Sequence, residues 1–60
     1  MNKPNEQAIL EAIKEYNPIK VEINWEWNYR SVDFYDGKVW RWAKLTKIGR
    51  VAKDSVRISV

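Results

Sequence analysis

The chain's four tryptophans fall in two Trp-x-Trp units, Trp25-Glu26-Trp27 and Trp40-Arg41-Trp42. On a β-strand alternate side chains share a face, so each unit would form a small shelf of two indoles. An exposed indole can stack on a nucleobase or lie against a sugar, and a neighbouring cation can neutralise a phosphate. The cations are concentrated in the second part of the chain. Residues 38–60 carry Lys38, Arg41, Lys44, Lys47, Arg50, Lys53 and Arg57 against Asp54 alone, a net charge of +6, whereas residues 1–37 hold seven acids and four bases, a net charge of −3. Such asymmetry suits a polyanionic partner and is equally compatible with an ordinary solvated surface. From Lys38 to Lys53 the cations recur every third residue, a period that belongs to neither strand nor helix. Twist, a bulge or the turn near Ile48-Gly49-Arg50 would have to gather them on one rim.

Catalytic chemistry has little to work with. The chain lacks histidine and cysteine, which removes the usual general base, thiolate chemistry, disulfide staples and the commonest metal ligand. Asp33, Asp36 and Asp54 each have a structural explanation, on a strand, in a turn and in the Lys53-Asp54-Ser55 loop. No glycine-rich phosphate loop, nucleophile elbow or metal-ligand spacing occurs. The expectation is a non-enzymatic protein without cofactor or metal.

The elements that must position these residues are legible in the periodicity. Over residues 4–16, Ile9, Ala12, Ile13 and Tyr16 share one helical face with Leu10 at its margin, while Gln7, Glu11, Lys14 and Glu15 lie opposite. Pro4 suits a first helical turn, Glu6 favours the positive end of the helix dipole, and Asn17-Pro18 ends the helix. The period then switches to two. Ile19, Val21, Ile23, Trp25 and Trp27 alternate with Lys20, Glu22, Asn24, Glu26 and Asn28, the pattern of a half-buried antiparallel strand over 19–27. Two further strands, 29–35 and 38–47, flank Asp36-Gly37, the preferred dipeptide of a two-residue hairpin loop, and a last one spans 55–60. The expected fold is α+β: one domain over residues 1–60, with an N-terminal helix packed on a curled four-stranded antiparallel sheet, as a meander or a small SH3-like barrel.

An Asp36-Gly37 loop would pair Tyr35 with Lys38, Phe34 with Val39, Asp33 with Trp40, Val32 with Arg41 and Ser31 with Trp42. Face one then carries Val32, Phe34, Val39, Ala43 and Leu45, with Arg30 and Arg41 near its edges, and reads as the core beneath the helix. Face two carries Tyr29, Ser31, Asp33, Tyr35, Lys38, Trp40, Trp42, Lys44 and Thr46. Its aromatic rings interleaved with lysines form a nucleic-acid-binding surface, unless face two is itself the core or a bulge turns the tryptophans inward. The shelves are thus expected to be unequal: Trp25 and Trp27 continue the apolar line of Ile19, Val21 and Ile23 and pack under the helix, whereas Trp40 and Trp42 do the binding.

Lys38-Val39-Trp40-Arg41-Trp42-Ala43-Lys44-Leu45, with Val21-Glu22-Ile23-Asn24-Trp25 and Val32-Asp33 before it, resembles the corresponding strands of the small archaeal chromatin proteins of Sulfolobus. The resemblance covers about residues 20–47. It implies an SH3-like barrel that binds duplex DNA through a three-stranded sheet and kinks the minor groove with apolar wedges. It further implies that Trp40 is the indole on the DNA, Trp42 its neighbour on the same face, Lys44 a flanking phosphate contact, and Arg50 a basic residue of the next strand. In this sequence the helix comes first, where the family has it last.

Residues expected at a nucleic-acid site are therefore Trp40, Trp42, Tyr35, Lys38, Arg41, Lys44, Lys47 and Arg50, with DNA ahead of RNA as ligand. The alternative is a protein-interaction module or self-associating subunit, a homodimer included, that uses the same Trp/Arg face or a strand edge such as Val56 to Val60. With 45% apolar and 32% charged residues the composition is that of a folded domain rather than a disordered tail. No apolar run reaches the roughly 20 residues a membrane helix needs, and Met1 to Glu6 has no signal-peptide core, so a cytoplasmic protein without a membrane partner is expected.

Overall fold

In a computed structural model, which describes residues 3–59, helix α1 spans Glu6–Ile13 and continues as a 3₁₀ turn over Lys14–Tyr16. Asn5 caps it: the Asn5 side-chain oxygen accepts a hydrogen bond from the Ala8 amide at 3.1 Å, satisfying one of the donors that a helix start leaves unpaired. Pro4 therefore sits one residue ahead of the cap instead of inside the first turn. At the other end Asn17 adopts a left-handed conformation, φ 52°, with its amide on the Lys14 carbonyl at 3.0 Å, and Pro18 prevents further helix.

Strands β1 (Lys20–Trp25), β2 (Arg30–Tyr35), β3 (Trp40–Lys44) and β4 (Arg57–Ile58) follow. They form one antiparallel sheet in the order β1-β2-β3-β4. The helix-then-meander architecture is as expected, but the sheet stays open rather than closing into a barrel. Its last strand is too short to reach around. Residues 53–55 turn as a 3₁₀ segment and β4 pairs only Ile58 with Arg41 and Arg57 with Trp42. The outer part of the expected 55–60 strand is carried by one more bond, Ser59 amide to Trp40 carbonyl at 2.8 Å; Val60 lies outside the described residues.

Both hairpin loops differ from the sequence reading. Asp36 donates its amide to the Val39 carbonyl at 3.3 Å, so the second loop is Gly37-Lys38, with Gly37 at φ +99°. Glycine in the first loop position is one of the two favoured solutions for a two-residue hairpin. The reason is Asp36 itself: its carboxylate accepts from the amides of Lys38 at 2.9 Å and Val39 at 3.0 Å and is ion-paired to Arg41. It acts as a staple at the strand end. Tyr35 consequently faces Trp40, Phe34 faces Arg41, Asp33 faces Trp42, Val32 faces Ala43 and Ser31 faces Lys44. The pairing has moved by two residues. An even shift leaves every side chain on the face assigned to it.

The first hairpin is equally tight. The Glu26 amide donates to the Tyr29 carbonyl at 2.9 Å, which leaves Trp27 and Asn28 as the loop. Strand β1 accordingly stops at Trp25 instead of running to Trp27.

Face one is the core. Ile9 and Ile13 of α1 pack with Val32, Phe34, Ala43 and Leu45, and Tyr16, Val21, Ile23, Trp25, Val51 and Val56 close its margins. The helix N-terminus is clamped to the far end of the sheet by a backbone contact, Asn5 amide to Gly49 carbonyl at 3.3 Å. Among the described residues no helix is long and apolar enough to cross a membrane.

Candidate nucleic-acid interface

The sheet face opposite α1 is assembled from alternate residues of all four strands. Lys20, Glu22 and Asn24 come from β1, Ser31, Asp33 and Tyr35 from β2, Trp40, Trp42 and Lys44 from β3, and Arg57 from β4. Of the residues expected at the site, Tyr35, Trp40, Trp42 and Lys44 are brought together here. Tyr35 and Trp40 are half-buried against each other, ring centroids 5.3 Å apart and tilted by 33°, a separation within the range that aromatic pairs favour. The Trp42 indole N–H donates to the Tyr29 hydroxyl at 3.1 Å, and the Arg57 guanidinium lies 5.5 Å from its ring centre. The row is therefore held in place by its own neighbours, with one side of each ring already occupied.

Charge is divided across this face. On the β1–β2 half Glu22 lies directly opposite Asp33, a like-charge pair that destabilises a sheet. Asn24 eases it, donating from its amide nitrogen to Asp33 at 3.0 Å and to the fully buried Ser31 hydroxyl at 3.2 Å. On the β3–β4 half the charged groups of this face are Lys44 and Arg57, with Asp33 of β2 opposite Trp42. The β1–β2 half thus carries Lys20 against Glu22 and Asp33, and the β3–β4 half carries Lys44 and Arg57.

The remaining expected cations lie elsewhere. Arg41 is on the helix side, opposite Phe34, ion-paired to Asp36 and stacked 5.0 Å over the Tyr16 ring. Its position is structural. The two loop amides that donate to the Asp36 carboxylate and the Arg41 guanidinium beside it hold that group well below the usual carboxylate range. Lys38 is exposed in the second hairpin loop. Arg50 is exposed beyond the bridge that joins Leu45 to Val51, with its amide on the Thr46 hydroxyl at 3.2 Å. Lys47 is exposed in the turn between them, near the end of β3.

Lys44 and Lys47 share a second feature that sequence reasoning missed. Trp27, Asn28, Tyr29, Arg30, Lys44, Leu45 and Lys47 line an open cleft of about 500 Å³ at the end of the sheet. Trp27, expected to pack under the helix, is 90% exposed. The tight loop ends the alternation that would have turned it inward. Arg30 is fixed, its guanidinium 4.3 Å over the Trp25 ring and its Nε on the Glu26 carbonyl at 3.1 Å. Tyr29 and Lys44 make the cleft continuous with the aromatic row. The exposure of Trp27 had no signal of its own, since Glu26 and Asn28 continue the strand alternation, whereas the signal for Arg57 lay in the alternation of the last strand.

Among the described residues no group of three acids, histidines or cysteines is placed to hold a metal ion. We found no protein family, no characterised protein and no solved structure that matches this chain.

Proposed function

We propose that this protein is a small, non-catalytic nucleic-acid-binding module whose ligand lies along β3 on the face opposite α1. One observation carries the reading: Tyr35, Trp40 and Trp42 form an ordered aromatic row on the non-core face, flanked by Lys44 and Arg57 and continued by Lys47. Ordered rings supply sequence-tolerant stacking, and the cations supply phosphate neutralisation. The local resemblance of residues 38–45 to DNA-binding sheet proteins points the same way and keeps DNA ahead of RNA.

The test is a fluorescence titration of the intact chain with labelled oligonucleotides at several salt concentrations. About three phosphate contacts, from Lys44, Lys47 and Arg57, should give a log–log salt slope near −2 to −3. Trp42→Ala should weaken binding by roughly 1–3 kcal/mol. Absent or salt-independent binding would remove the proposal. A protein partner is favoured by one observation, the Glu22–Asp33 pair, which would accept a basic side chain from another chain. That alternative, a homodimer included, expects no oligonucleotide binding and a loss of association in Glu22→Gln/Asp33→Asn.

A further inference from the structure

We propose, resting on the nucleic-acid reading, that the ligand is single-stranded and that one unstacked base enters the cleft that Trp27 lines. The first ground is the distribution of accessible rings. Tyr35 and Trp40 cover one another, and Trp42 is held by Tyr29 and Arg57. Trp27 stands almost fully exposed in the first hairpin loop, the indole most open to a ligand among the described residues. It lines a cleft together with the apolar Leu45, and the charged residues of that lining, Arg30, Lys44 and Lys47, are all cationic. An exposed ring beside an apolar side chain and positive charge suits a base with its own phosphate.

The second ground is the charge division of the sheet. Strands spaced by about 4.8 Å put β1 and β4 some 14 Å apart, close to the roughly 12 Å width of a major groove. A duplex seated on this face would carry phosphates over both margins. One backbone would then lie over the β1–β2 half, where Glu22 and Asp33 outnumber Lys20. A single strand has one phosphate row and can follow Lys44 and Lys47 past the end of β3 into the cleft. Its bases are free to leave the stack, whereas a duplex must be opened before any base can enter. The chain is therefore a reader of unpaired nucleic acid, with Trp27 as the ring that distinguishes it from duplex.

The experiment compares a fluorescein-labelled oligothymidylate of roughly a dozen nucleotides, within the length one small fold covers, with a duplex containing the same strand, for wild type, Trp27→Ala and Trp27→Phe. The wild type should bind the single strand at least about tenfold more tightly. Trp27→Ala should weaken that binding between about fivefold and a hundredfold, the range one base-on-ring stack is worth, without altering duplex binding, and Trp27→Phe should recover most of the loss. Because Trp27 lies outside the core, circular dichroism should be unchanged in both variants. Duplex binding as tight as single-strand binding, or an unaffected Trp27→Ala, would overturn the inference while leaving the proposed function standing. Failure of the wild type to bind either probe at low salt would overturn both.

Discussion

Two aspartates that look alike in the sequence do different work. Asp33 faces the solvent side of the sheet and is hydrogen-bonded by Asn24, whereas Asp36 is held by two loop amides and Arg41. A carboxyl whose acidity is raised by folding stabilises the protein fully above its unfolded pKa, about 3.9, and loses that contribution as pH falls below it. Urea unfolding midpoints of the wild type should therefore drop between about pH 4 and lower values, and Asp36→Asn should flatten that part of the curve. An unchanged slope would show that the loop does not depend on the charge. Arg41 belongs to the same assembly, which is why a residue that reads as a phosphate contact serves the hairpin and Tyr16 instead. Its place on face one followed from parity. Its ion pair did not, because that depends on a register set by the very aspartate it binds.

At the scale of elements, face membership was legible and loop placement was not. A strand's alternation determines which side chains share a side, and a two-residue error in pairing leaves that property intact. The exact loop depends on side-chain staples, such as the Asp36 carboxylate on two amides, that a turn dipeptide does not reveal. Trp27 was misplaced for a related reason, since alternation predicts a face only where the strand continues. Gly49 is an element-level constraint of another kind. Its φ is +81°, and an added Cβ would stand 2.6 Å from the Asn5 nitrogen and 2.9 Å from the Pro4 Cα. Gly49→Ala should push the capped start of α1 away from the sheet and destabilise the fold by at least about 1 kcal/mol, read as a lower melting temperature. An unaltered melting temperature would show that the clamp is dispensable.

For the molecule as a whole, the charge asymmetry between the two parts of the chain becomes a division across one sheet face, with Glu22 and Asp33 against Lys20 over β1 and β2 and Lys44 and Arg57 along β3 and β4. The helix takes the opposite face and spares the aromatic row from core duty. Core against surface was readable from hydrophobic parity, while the open cleft was not, because it is made by two loops that meet only in the folded chain. The central claim, that nucleic acid lies on the non-helix face and reaches Trp27, can be read from the four indole N–H signals in a ¹H–¹⁵N correlation spectrum during titration with an oligothymidylate. The expected result is that Trp27, Trp40 and Trp42 shift while Trp25, packed against the core beneath Arg30, stays in place. Movement of Trp25 as large as that of the other three, or no movement of any, would contradict it.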